Sequence, residues 1–401
     1  MFENDKMEIL VHDIESELKN NILQFWIDHS IDNDNGGFYG FISDNLIIDK
    51  IHEKSSVLNF RILWTYSAAY RVYKEAKYLH MAERAYDYVI KHLIDTTNSG
   101  VYWMLDYKGN VVDSKKQTYA IAFAIYGLSE YFRATGKQES LDSAIELFYS
   151  LENHSYDGAS KGYVEARSVD WLPLADMSLS PKDMNVDKSM NTHLHVMEAY
   201  TNLLRVWDND HLRKSLKELI NVTIDHIIDP KTHQFKLFFD QTWNPMSNVV
   251  SFGHDIEGSW LLYEATEVLG DVKLIIKVEN ISINMAKKTY EEGIDRKHGG
   301  LFNEGEDGVI IESNKDWWPQ AEAVVGFANA YQLTKENYFI DEAIKMWHFI
   351  DKHIVDKVYG EWVWGTTANG SRVTKNEKVG PWKCPYHNSR MCFEIIQRFK
   401  K

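Results

Sequence analysis

Cysteine and proline are scarce in this chain. Of its 401 residues, seven are proline and two are cysteine. Because proline breaks helices in their interiors, its scarcity permits long helices. Cys384 and Cys392 are eight residues apart in a segment that we expect to be helical, which separates them by about two turns, or roughly 12 Å. They are therefore too distant for a disulfide, and reduced thiols are typical of a cytosolic protein.

Basic charge, long apolar runs and linkers are also lacking. The formal net charge of −15 disfavours nucleic acid and anionic membranes as partners, since both require a basic surface. No apolar run is long enough to span a bilayer, and the opening residues lack the features of a secretory signal. The length alone suggests two or three domains, but no Pro-, Ser- or Gly-rich linker interrupts the chain. We therefore expect one cytoplasmic domain over residues 1–401, with no nucleic-acid or membrane partner.

One short turn motif, by contrast, is present six times. It reads NGGFYGF at 35–41, and its relatives are NSGVYWML (98–105), SKGYVEA (160–166), HQFKLFF (233–239), HGGLFNE (298–304) and YGEWVWG (359–365). The apolar residues that follow the turns are 63, 62, 72, 66 and 61 residues apart; they are Phe38, Val101, Tyr163, Phe235, Leu301 and Trp362. A nearly constant period over the whole chain indicates a repeat architecture.

Two helices are predicted in each interval. An almost wholly apolar segment at 56–76 is followed by 78–95, which has the one-sided apolar pattern of a surface helix. The same pair recurs at 117–135 and 138–152, 188–207 and 210–228, 255–268 and 271–288, and 319–333 and 337–355. The sixth pair is divided between 6–27 and 388–400, as a closed ring requires.

We therefore predict an all-α fold, an (α/α)6 barrel of six helical hairpins. The apolar helix of each hairpin lies inside, and short β-strands or loops lie at the mouth. An open α-solenoid is the alternative, but it predicts atypical polar repeats at both ends, which the sequence lacks.

Polar residues cluster where the inner helices begin, around one mouth of the ring. They are Arg61, Tyr119, Asn191, His195, His254, Glu257, Glu322, His387 and Arg390, together with Trp317, Trp318 and Trp382. Structural alternatives exist: Arg61 could pair with an acid, and Tyr119 could fill the core. A single histidine in an apolar helix is more often a core residue than a catalyst. Histidines in three repeats favour a functional site, because clustered titratable groups usually mark one.

A metal site is the main rival interpretation of these residues. His193 and His195 are about 200° apart on a helix and cannot bind one ion. His195 does share a face with Asn191, and His254 shares one with Glu257. However, no H-E-x-x-H or Cys/His zinc pattern is present, and the glycine-rich phosphate loops are missing as well. We expect neither a metal nor a nucleotide cofactor.

The tryptophans at the mouth favour a sugar ligand, since flat aromatic faces suit the apolar faces of sugar rings; core packing is the alternative. A glycoside hydrolase needs two carboxylates across the scissile bond, and Glu257 and Glu322 are the acids available. Histidines suit proton transfer at carbon instead. A base of near-neutral pKa can remove the weakly acidic C2 proton of an open-chain aldose if the enediolate is stabilised. A second group on the opposite face can then return the proton and invert C2 without a cofactor.

Four motifs, NTHLHVMEAY, SFGHDIEGSWLL, DWWPQAEAVVGF and GPWKCPYHNSRMC, resemble the cellobiose 2-epimerase family of the N-acylglucosamine 2-epimerase superfamily. The resemblance extends over nearly the whole chain. It implies an (α/α)6 barrel and a cofactor-independent isomerase. Such an enzyme epimerises C2 of the reducing-end glucose in β-1,4-linked disaccharides, cellobiose or lactose among them.

The resemblance also implies residue roles. His254 and His387 match the two general acid/base catalysts at C2, and His195 matches a histidine that assists ring opening and closing. Other residues match positions that bind or support the substrate. Arg61 and Asn191 match residues at the reacting end, and Trp317 and Trp382 match tryptophans that hold the sugar. Glu257 matches an acid that supports its neighbouring histidine, and Tyr119, Trp318 and Glu322 match other positions in the pocket.

Several alternatives stay open on the sequence. Mannobiose could replace cellobiose as the substrate, because the second sugar lies outside the matched motifs. A mannose isomerase of the same superfamily, a sugar hydrolase on the same barrel and a sugar-binding protein without activity are the other candidates. The chain could be a monomer or a weak homodimer.

Overall fold

The computed structural model describes residues 2–373 and 376–400, and this part of the chain contains thirteen α-helices. They are α1 Phe2–Glu17, α2 Leu23–His29, α3 Ser56–Tyr73, α4 Ala76–His92, α5 Thr118–Thr135, α6 Gln138–His154, α7 Met190–Leu204, α8 Asp210–Val222, α9 Phe252–Leu269, α10 Val272–Glu292, α11 Trp317–Thr334, α12 Asn337–Phe349 and α13 Tyr386–Phe399. Three π-helical turns join α1 to α2 and extend α8 and α12; they are Leu18–Ile22, Thr223–Ile227 and Ile350–Ile354.

The helices form two concentric layers. In α3, every residue from Ser56 to Ala69 is buried, whereas α4 buries one face and exposes the other. The inner helices α3, α5, α7, α9, α11 and α13 each contact the next in this order, and α13 also contacts α3. The ring is therefore closed, which confirms the (α/α)6 barrel and excludes the open solenoid. In the described part of the chain, no helix combines the length and apolarity needed to cross a membrane.

Helix boundaries differ from the sequence predictions by a few residues. α11 begins at Trp317 rather than at 319, because Pro319 lies in the first turn, where no intrahelical N–H bond is lost. α9 begins at Phe252 rather than at 255. α4 ends at His92 rather than at 95, since Ile94 already forms a backbone bridge with Val101.

Short strands connect the outer helices to the inner ones. Within the described ranges they number fourteen: β1 Ile42–Ser43, β2 Lys54–Ser55, β3 Met104–Leu105, β4 Val111–Asp113, β5 Lys116–Gln117, β6 Ala166–Arg167, β7 Lys188–Ser189, β8 Phe238–Phe239, β9 Val249–Ser251, β10 Glu304–Glu306, β11 Val309–Glu312, β12 Lys315–Asp316, β13 Gly365–Thr366 and β14 Glu377–Val379.

These strands form six small antiparallel sheets, ordered β1-β14, β2-β3-β4, β5-β6, β7-β8, β9-β10-β11 and β12-β13. The strand before each inner helix pairs with the strand after the next turn motif. β14, which precedes α13, pairs with β1 near the other end of the chain. The sheets thus close the same ring as the helices.

The six repeated turns have a common backbone geometry. Each of the six apolar residues forms an isolated antiparallel bridge with the residue seven positions earlier, from Ile31–Phe38 to Val355–Trp362. An aspartate beside the bridge accepts hydrogen bonds from the backbone N–H groups two and three residues on; the six are Asp32, Asp95, Asp157, Asp229, Asp295 and Asp356. Aspartate is suited to this position because its carboxylate bonds the following backbone N–H groups.

A buried lysine from the next inner-helix strand completes five of these turns. Lysine Nζ lies 2.6–2.9 Å from the aspartate carboxylate in the pairs Lys54–Asp32, Lys116–Asp95, Lys188–Asp157, Lys315–Asp295 and Lys378–Asp356. The fourth turn has no such lysine in β9, and Asp229 instead lies 3.5 Å from the half-exposed Lys236. Each pair fixes an outer turn to the start of an inner helix, and these starts surround the mouth.

Candidate active site

The residues singled out from the sequence converge at the N-terminal ends of the inner helices. Arg61, His195, Glu257 and Glu322 are each the sixth residue of their helix, while Tyr119, Asn191, Trp318 and His387 are each the second. Ser55 and Ser189 cap two of these helices by accepting the backbone N–H of Leu58 and Thr192. Because six helix N-termini meet here, unpaired backbone N–H groups give the mouth a positive potential.

His195 is held by a carboxylate on its own helix. Its Nδ1 lies 2.9 Å from Oε2 of Glu198, one turn further along α7. The other oxygen of Glu198 accepts hydrogen bonds from the Tyr386 hydroxyl and from Nη1 of Arg390, both on α13. Burial alone would raise the pKa of Glu198, but Arg390 and His195 outweigh it and lower the pKa to about 2. Glu198 is therefore an anion that accepts the Nδ1 proton of His195.

His387 has a similar arrangement across the barrel. Its Nδ1 lies 2.7 Å from Oε1 of Glu322, which also accepts Nη2 of Arg390 at 2.7 Å, while Oε2 accepts Trp260 Nε1 at 3.2 Å. Both oxygens of Glu322 thus accept fixed N–H donors, from Arg390 and Trp260, and Oε1 also faces Nδ1 of His387. Burial raises the pKa of Glu322, and the charge of Arg390 opposes that rise. Burial, followed by the nearby cations Arg61 and Arg390, lowers the pKa of His387 well below its ordinary value.

His254 is supported by a hydroxyl rather than a carboxylate. Its Nδ1 lies 2.8 Å from Oγ of Ser251, the residue before α9. Burial, followed by the proximity of His195, lowers the pKa of His254 to about 3. His254 and His387 are therefore neutral near pH 7, the form in which an imidazole accepts a proton. In the described part of the chain, Nε2 of neither ring has a protein hydrogen-bond partner.

Glu257 lies close to His387 rather than to its neighbour on α9. Its Oε1 accepts a hydrogen bond from Nη2 of Arg390 and is 4.0 Å from Nδ1 of His387. The expectation that Glu257 supports His254 is therefore not met by the contacts, because Nδ1 of His254 turns back to Ser251. Burial and the repulsion of Glu322 raise the pKa of Glu257 to about 7, and its buried Oε2 has no hydrogen-bond partner in the described part of the chain.

Arg61, on α3, contacts residues of both neighbouring inner helices, α5 and α13. Its Nη2 donates to the Tyr119 hydroxyl at 2.7 Å, and its Nη1 lies 3.8 Å from Sγ of Cys384. The guanidinium also lies over the Phe123 and Tyr386 rings, at 4.2 and 4.8 Å from their centroids. The alternative that Arg61 pairs with an acid is thus wrong. Its contacts are with aromatic rings, a hydroxyl and a thiol, and no carboxylate of the described residues pairs with its charge.

The three tryptophans occupy different environments. The half-buried Trp318 ring lies 4.6 Å from the His254 ring and 5.5 Å from the His387 ring. The half-buried Trp382 ring lies 5.9 Å from the Tyr119 ring. Trp317 is 2% exposed and packs against Trp364, and its buried Nε1 has no hydrogen-bond partner among the described residues. Trp318 and Trp382 therefore have ring surface available to a ligand, whereas Trp317 has almost none, and the expectation that Trp317 contacts the sugar is not met.

The remaining polar residues of α7 separate by face, as predicted. Nε2 of His193 accepts the backbone N–H of Tyr163 at 2.9 Å, and its Nδ1 donates to the carbonyl of Ser189 at 2.6 Å. His193 is therefore a core residue. Asn191 is half-buried, and its enclosed Oδ1 has no hydrogen-bond partner within residues 2–373 and 376–400.

One group of possible metal ligands lies in the described part of the chain, formed by Glu257, Glu322 and His387 within 4.8 Å of one another. The Arg390 guanidinium donates to Oε1 of both glutamates. A cation already fills the space between the two carboxylates, so a divalent ion would meet strong repulsion. The residues do not fit a metal, and a metal-free site stays a prediction.

Sequence reasoning missed the carboxylate behind His195 and the role of Arg390. Arg390 contacts Glu198, Glu257 and Glu322 and connects α7, α9 and α11 through α13. A signal was available, since His195 and Glu198 repeat the His-x-x-Glu spacing of His254 and Glu257. Moreover, three acids in apolar inner helices require a buried cation. Tyr386 and Ser251 carried no comparable signal.

The chain matches the family model described as N-acylglucosamine 2-epimerase (GlcNAc 2-epimerase) over residues 36–390. It is 46% identical to a cellobiose 2-epimerase of Bacteroides fragilis over 97% of this chain and 99% of that protein. It is 39% identical to the cellobiose 2-epimerase of Dictyoglomus turgidum over 98% of this chain and 99% of that one. The structure of cellobiose 2-epimerase from Bacillus thermoamylovorans superimposes with a TM-score of 0.93 at 38% identity, covering 98% of this chain and 100% of the other.

These likenesses extend over nearly the full length of each protein and confirm the resemblance carried by the four motifs. The chain is a carbohydrate epimerase, and it belongs to the cellobiose 2-epimerase family within the N-acylglucosamine 2-epimerase superfamily.

Proposed function

We propose that this protein is a cytoplasmic cellobiose 2-epimerase. It converts the reducing-end glucose of cellobiose to mannose, giving 4-O-β-glucosylmannose, and catalyses the reverse reaction; lactose is epimerised in the same way. The observation that carries the proposal is the pair His254 and His387. They come from different inner helices, flank the Trp318 ring at 4.6 and 5.5 Å, and each has Nδ1 occupied and Nε2 free of protein partners among the described residues.

The two histidines exchange the proton at C2. After the sugar ring opens, C2–H is adjacent to the C1 aldehyde and is acidic enough for a neutral imidazole to remove. One histidine takes the proton through Nε2, and the electrons of the broken C–H bond form an enediolate. The other histidine takes up a proton from solvent, returns it to the opposite face of C2 and is neutral again. The first histidine releases to solvent the proton that it removed. General acid–base catalysis of this kind contributes about 10²–10⁴-fold to a rate.

Positive charge at the mouth stabilises the enediolate. Arg61 lacks a carboxylate partner in the described structure, and the N-terminal ends of six inner helices surround the same space. Preorganised charge of this kind is most effective where it faces the charge that develops during the reaction. We assign Arg61, Asn191 and Tyr119 to the reacting end of the substrate, and His195 to ring opening and closing.

The sugar is held by aromatic surface. The half-buried Trp318 lies beside His254 and His387, and the half-buried Trp382 lies beside Tyr119. Glu322 supports His387 through Nδ1, and Glu257 shares its guanidinium partner. No metal or nucleotide is required, because every step is a proton transfer between substrate and side chains.

Two alternatives are less well supported. A glycoside hydrolase needs two carboxylates on either side of the scissile bond, but Glu257 and Glu322 bond the same Arg390 nitrogen, and no sugar fits between them. A mannobiose epimerase or mannose isomerase would use the same histidines.

We further propose that residues 1–401 form one catalytic domain, active as a monomer or a weak homodimer.

Proton NMR of cellobiose with the purified protein in D2O, without added metal or nucleotide, tests the proposal. The expected result is 4-O-β-glucosylmannose with deuterium at C2. Free glucose would support the hydrolase, and a ketose would support the isomerase. If neither cellobiose nor lactose reacts while mannobiose does, the substrate assignment is wrong but the epimerase chemistry stands.

A further inference from the structure

Glu198 lies behind His195 and outside every role assigned so far. It is 3% exposed and belongs to the third turn of α7, one turn deeper than His195. Its two oxygens have different partners: Oε2 faces Nδ1 of His195 at 2.9 Å, and Oε1 faces the Tyr386 hydroxyl and Arg390 Nη1. Arginine can only donate, so Oε1 must accept from it. Arg390 also outweighs burial and lowers the pKa of Glu198 to about 2, so the carboxylate is ionised and Oε2 is an acceptor as well.

We propose that Glu198 is a positioning residue that fixes the tautomer of His195. An ionised carboxylate can only accept, so the proton of neutral His195 must lie on Nδ1 and the lone pair on Nε2. Nε2 has no protein hydrogen-bond partner in the described structure and is not sealed from solvent, so it faces the mouth. His195 then presents an acceptor to the substrate, as removal of a hydroxyl proton during ring opening requires.

Arg390 contacts the carboxylates behind two of the histidines. Its Nη1 holds Glu198, and its Nη2 holds Glu322, the carboxylate behind His387. One guanidinium therefore donates to both carboxylates, and each carboxylate faces Nδ1 of its histidine. His254 stands apart, because the Ser251 hydroxyl can donate or accept and leaves either tautomer available. The role of Glu198 in catalysis rests on the proposed epimerase function, but its effect on the tautomer does not.

Glu198→Gln is the decisive variant because it keeps the shape and reverses one hydrogen bond. The amide oxygen must face Arg390 and Tyr386, since a carboxamide NH2 there would meet a donor. The NH2 group is then directed at Nδ1 of His195, where it donates and forces the proton to Nε2. A histidine held in the wrong tautomer loses the lone pair that it offers to substrate.

Nitrogen-15 NMR of the free enzyme, labelled at histidine and assigned with a His195→Gln variant, reads the tautomer directly. We expect Nδ1–H in the wild type and Nε2–H in Glu198→Gln. Steady-state kinetics with cellobiose should then give a kcat lower by about 10²-fold, the lower range for a lost acid–base group, with KM changed less than about threefold. The expected loss is in kcat because the ring-opening step, not the binding surface, is altered.

Glu130→Gln is the matched control. Glu130 is a buried glutamate on α5 that pairs with Arg71 and Arg133, and it makes no contact with a histidine. It should lose thermal stability to a similar degree but keep the tautomer of His195 and a kcat near the wild-type value.

Three outcomes would overturn the proposal: Nε2–H at His195 in the wild type, an unchanged tautomer in Glu198→Gln, or a kcat loss no greater than that of Glu130→Gln. If Glu198→Gln does not fold, the wild-type spectrum decides alone. If cellobiose is not a substrate, the proposed function fails, and the spectra of the free enzyme still decide the role of Glu198.

Discussion

The three histidines at the mouth differ in the group behind Nδ1. His195 and His387 each face a glutamate, at 2.9 and 2.7 Å, whereas His254 faces a serine hydroxyl at 2.8 Å. A carboxylate stabilises the imidazolium more than a hydroxyl does. His387 therefore has a carboxylate to support its charged form and His254 only a hydroxyl, while burial lowers the pKa of both imidazoles.

Replacing either histidine at C2 should abolish the reaction. We expect His254→Asn and His387→Asn to lower the rate of deuterium exchange at C2 by at least about 10²-fold, because each removes one of the two proton carriers. Circular dichroism should report an unchanged fold. The exposed His80 on α4 provides the control, and His80→Asn should exchange at the wild-type rate. Near-normal turnover in either mouth variant would remove that histidine from its assigned role.

Asp255 is a buried acid that the reaction does not use. Its Oδ1 accepts the backbone N–H of Phe235 at 2.7 Å, and its buried Oδ2 has no hydrogen-bond partner among the residues that the structure describes. Burial raises its pKa to about 8, so the residue is largely protonated at neutral pH in the folded protein. In the unfolded chain it ionises near pH 4. Between these two pH values Asp255 keeps its proton in the folded protein and loses it on unfolding. The contribution of Asp255 to the free energy of unfolding therefore falls as the pH rises from about 4 to 8.

Asp255→Asn should therefore stabilise the protein near neutral pH. The amide keeps the acceptor for Phe235 and has no proton to lose. We expect a gain of at least about 1 kcal/mol at pH 7.5, since one pKa unit corresponds to about 1.4 kcal/mol, and a much smaller gain at pH 5. Thermal melts at both pH values measure this. Asp225→Asn, at an exposed position, should show no such pH-dependent gain; equal gains for the two variants would contradict the assignment.

At the scale of elements, the buried lysine and aspartate pairs explain why one turn recurs along the chain. Lys116 Nζ lies 2.6 Å from Asp95, and neither side chain is exposed. The aspartate closes its own turn through two backbone N–H groups, and the lysine comes from the strand that leads into α5. A charge removed from such a pair leaves the other buried and uncompensated, which costs about 3–5 kcal/mol.

Lys116→Met should be more destabilising than the double variant Lys116→Met/Asp95→Asn. The single change leaves a buried carboxylate, whereas the double change leaves a neutral side chain that still accepts the backbone N–H groups. We expect a loss of about 3–5 kcal/mol for the single variant and about half of it for the double, measured by chemical denaturation. Lys236→Met, beside the half-exposed aspartate of the fourth turn, should cost less than about 1 kcal/mol. A double variant as unstable as the single one would show that the pair is not the cause.

At the scale of the whole molecule, α13 closes the ring. It contacts α3 on one side and α11 on the other, and it carries His387 and Arg390. The catalytic mouth therefore exists only when residues from both ends of the chain are packed together. Phe393 on this helix is 2% exposed and packs against Trp64 of α3.

One cooperative unfolding transition is expected in differential scanning calorimetry, because no inner helix can leave the ring without exposing its two neighbours. Phe393→Ala should shift this whole transition downward, through a loss of about 3–5 kcal/mol. An alanine replacement of the exposed Ile276 on α10 should leave the transition in place. Two separate transitions, or a shift confined to part of the profile, would contradict the single-domain proposal.

Much of this architecture was readable from local patterns. The turn period and the contrast between apolar and one-sided helices predicted the inner and outer layers. A helix buried on all sides is apolar all round, whereas a helix buried on one side is apolar only on that face. The positions of His254 and His387 followed from helix starts. The lysines were less apparent, although Lys54, Lys116, Lys188 and Lys315 each stand two residues before an inner helix.

The amino-acid sequence by itself determined the closed ring, the family and the histidines at its mouth, since these depend on periodicity and on motifs contiguous in the chain. Only the tertiary structure decided which carboxylate serves which histidine. Glu257 is three residues from His254, yet it bonds Arg390, 133 residues away, and Glu322 reaches His387 across 65 residues. Helical spacing places side chains on a face, but a buried charge takes the partner that the packing of other helices brings to it.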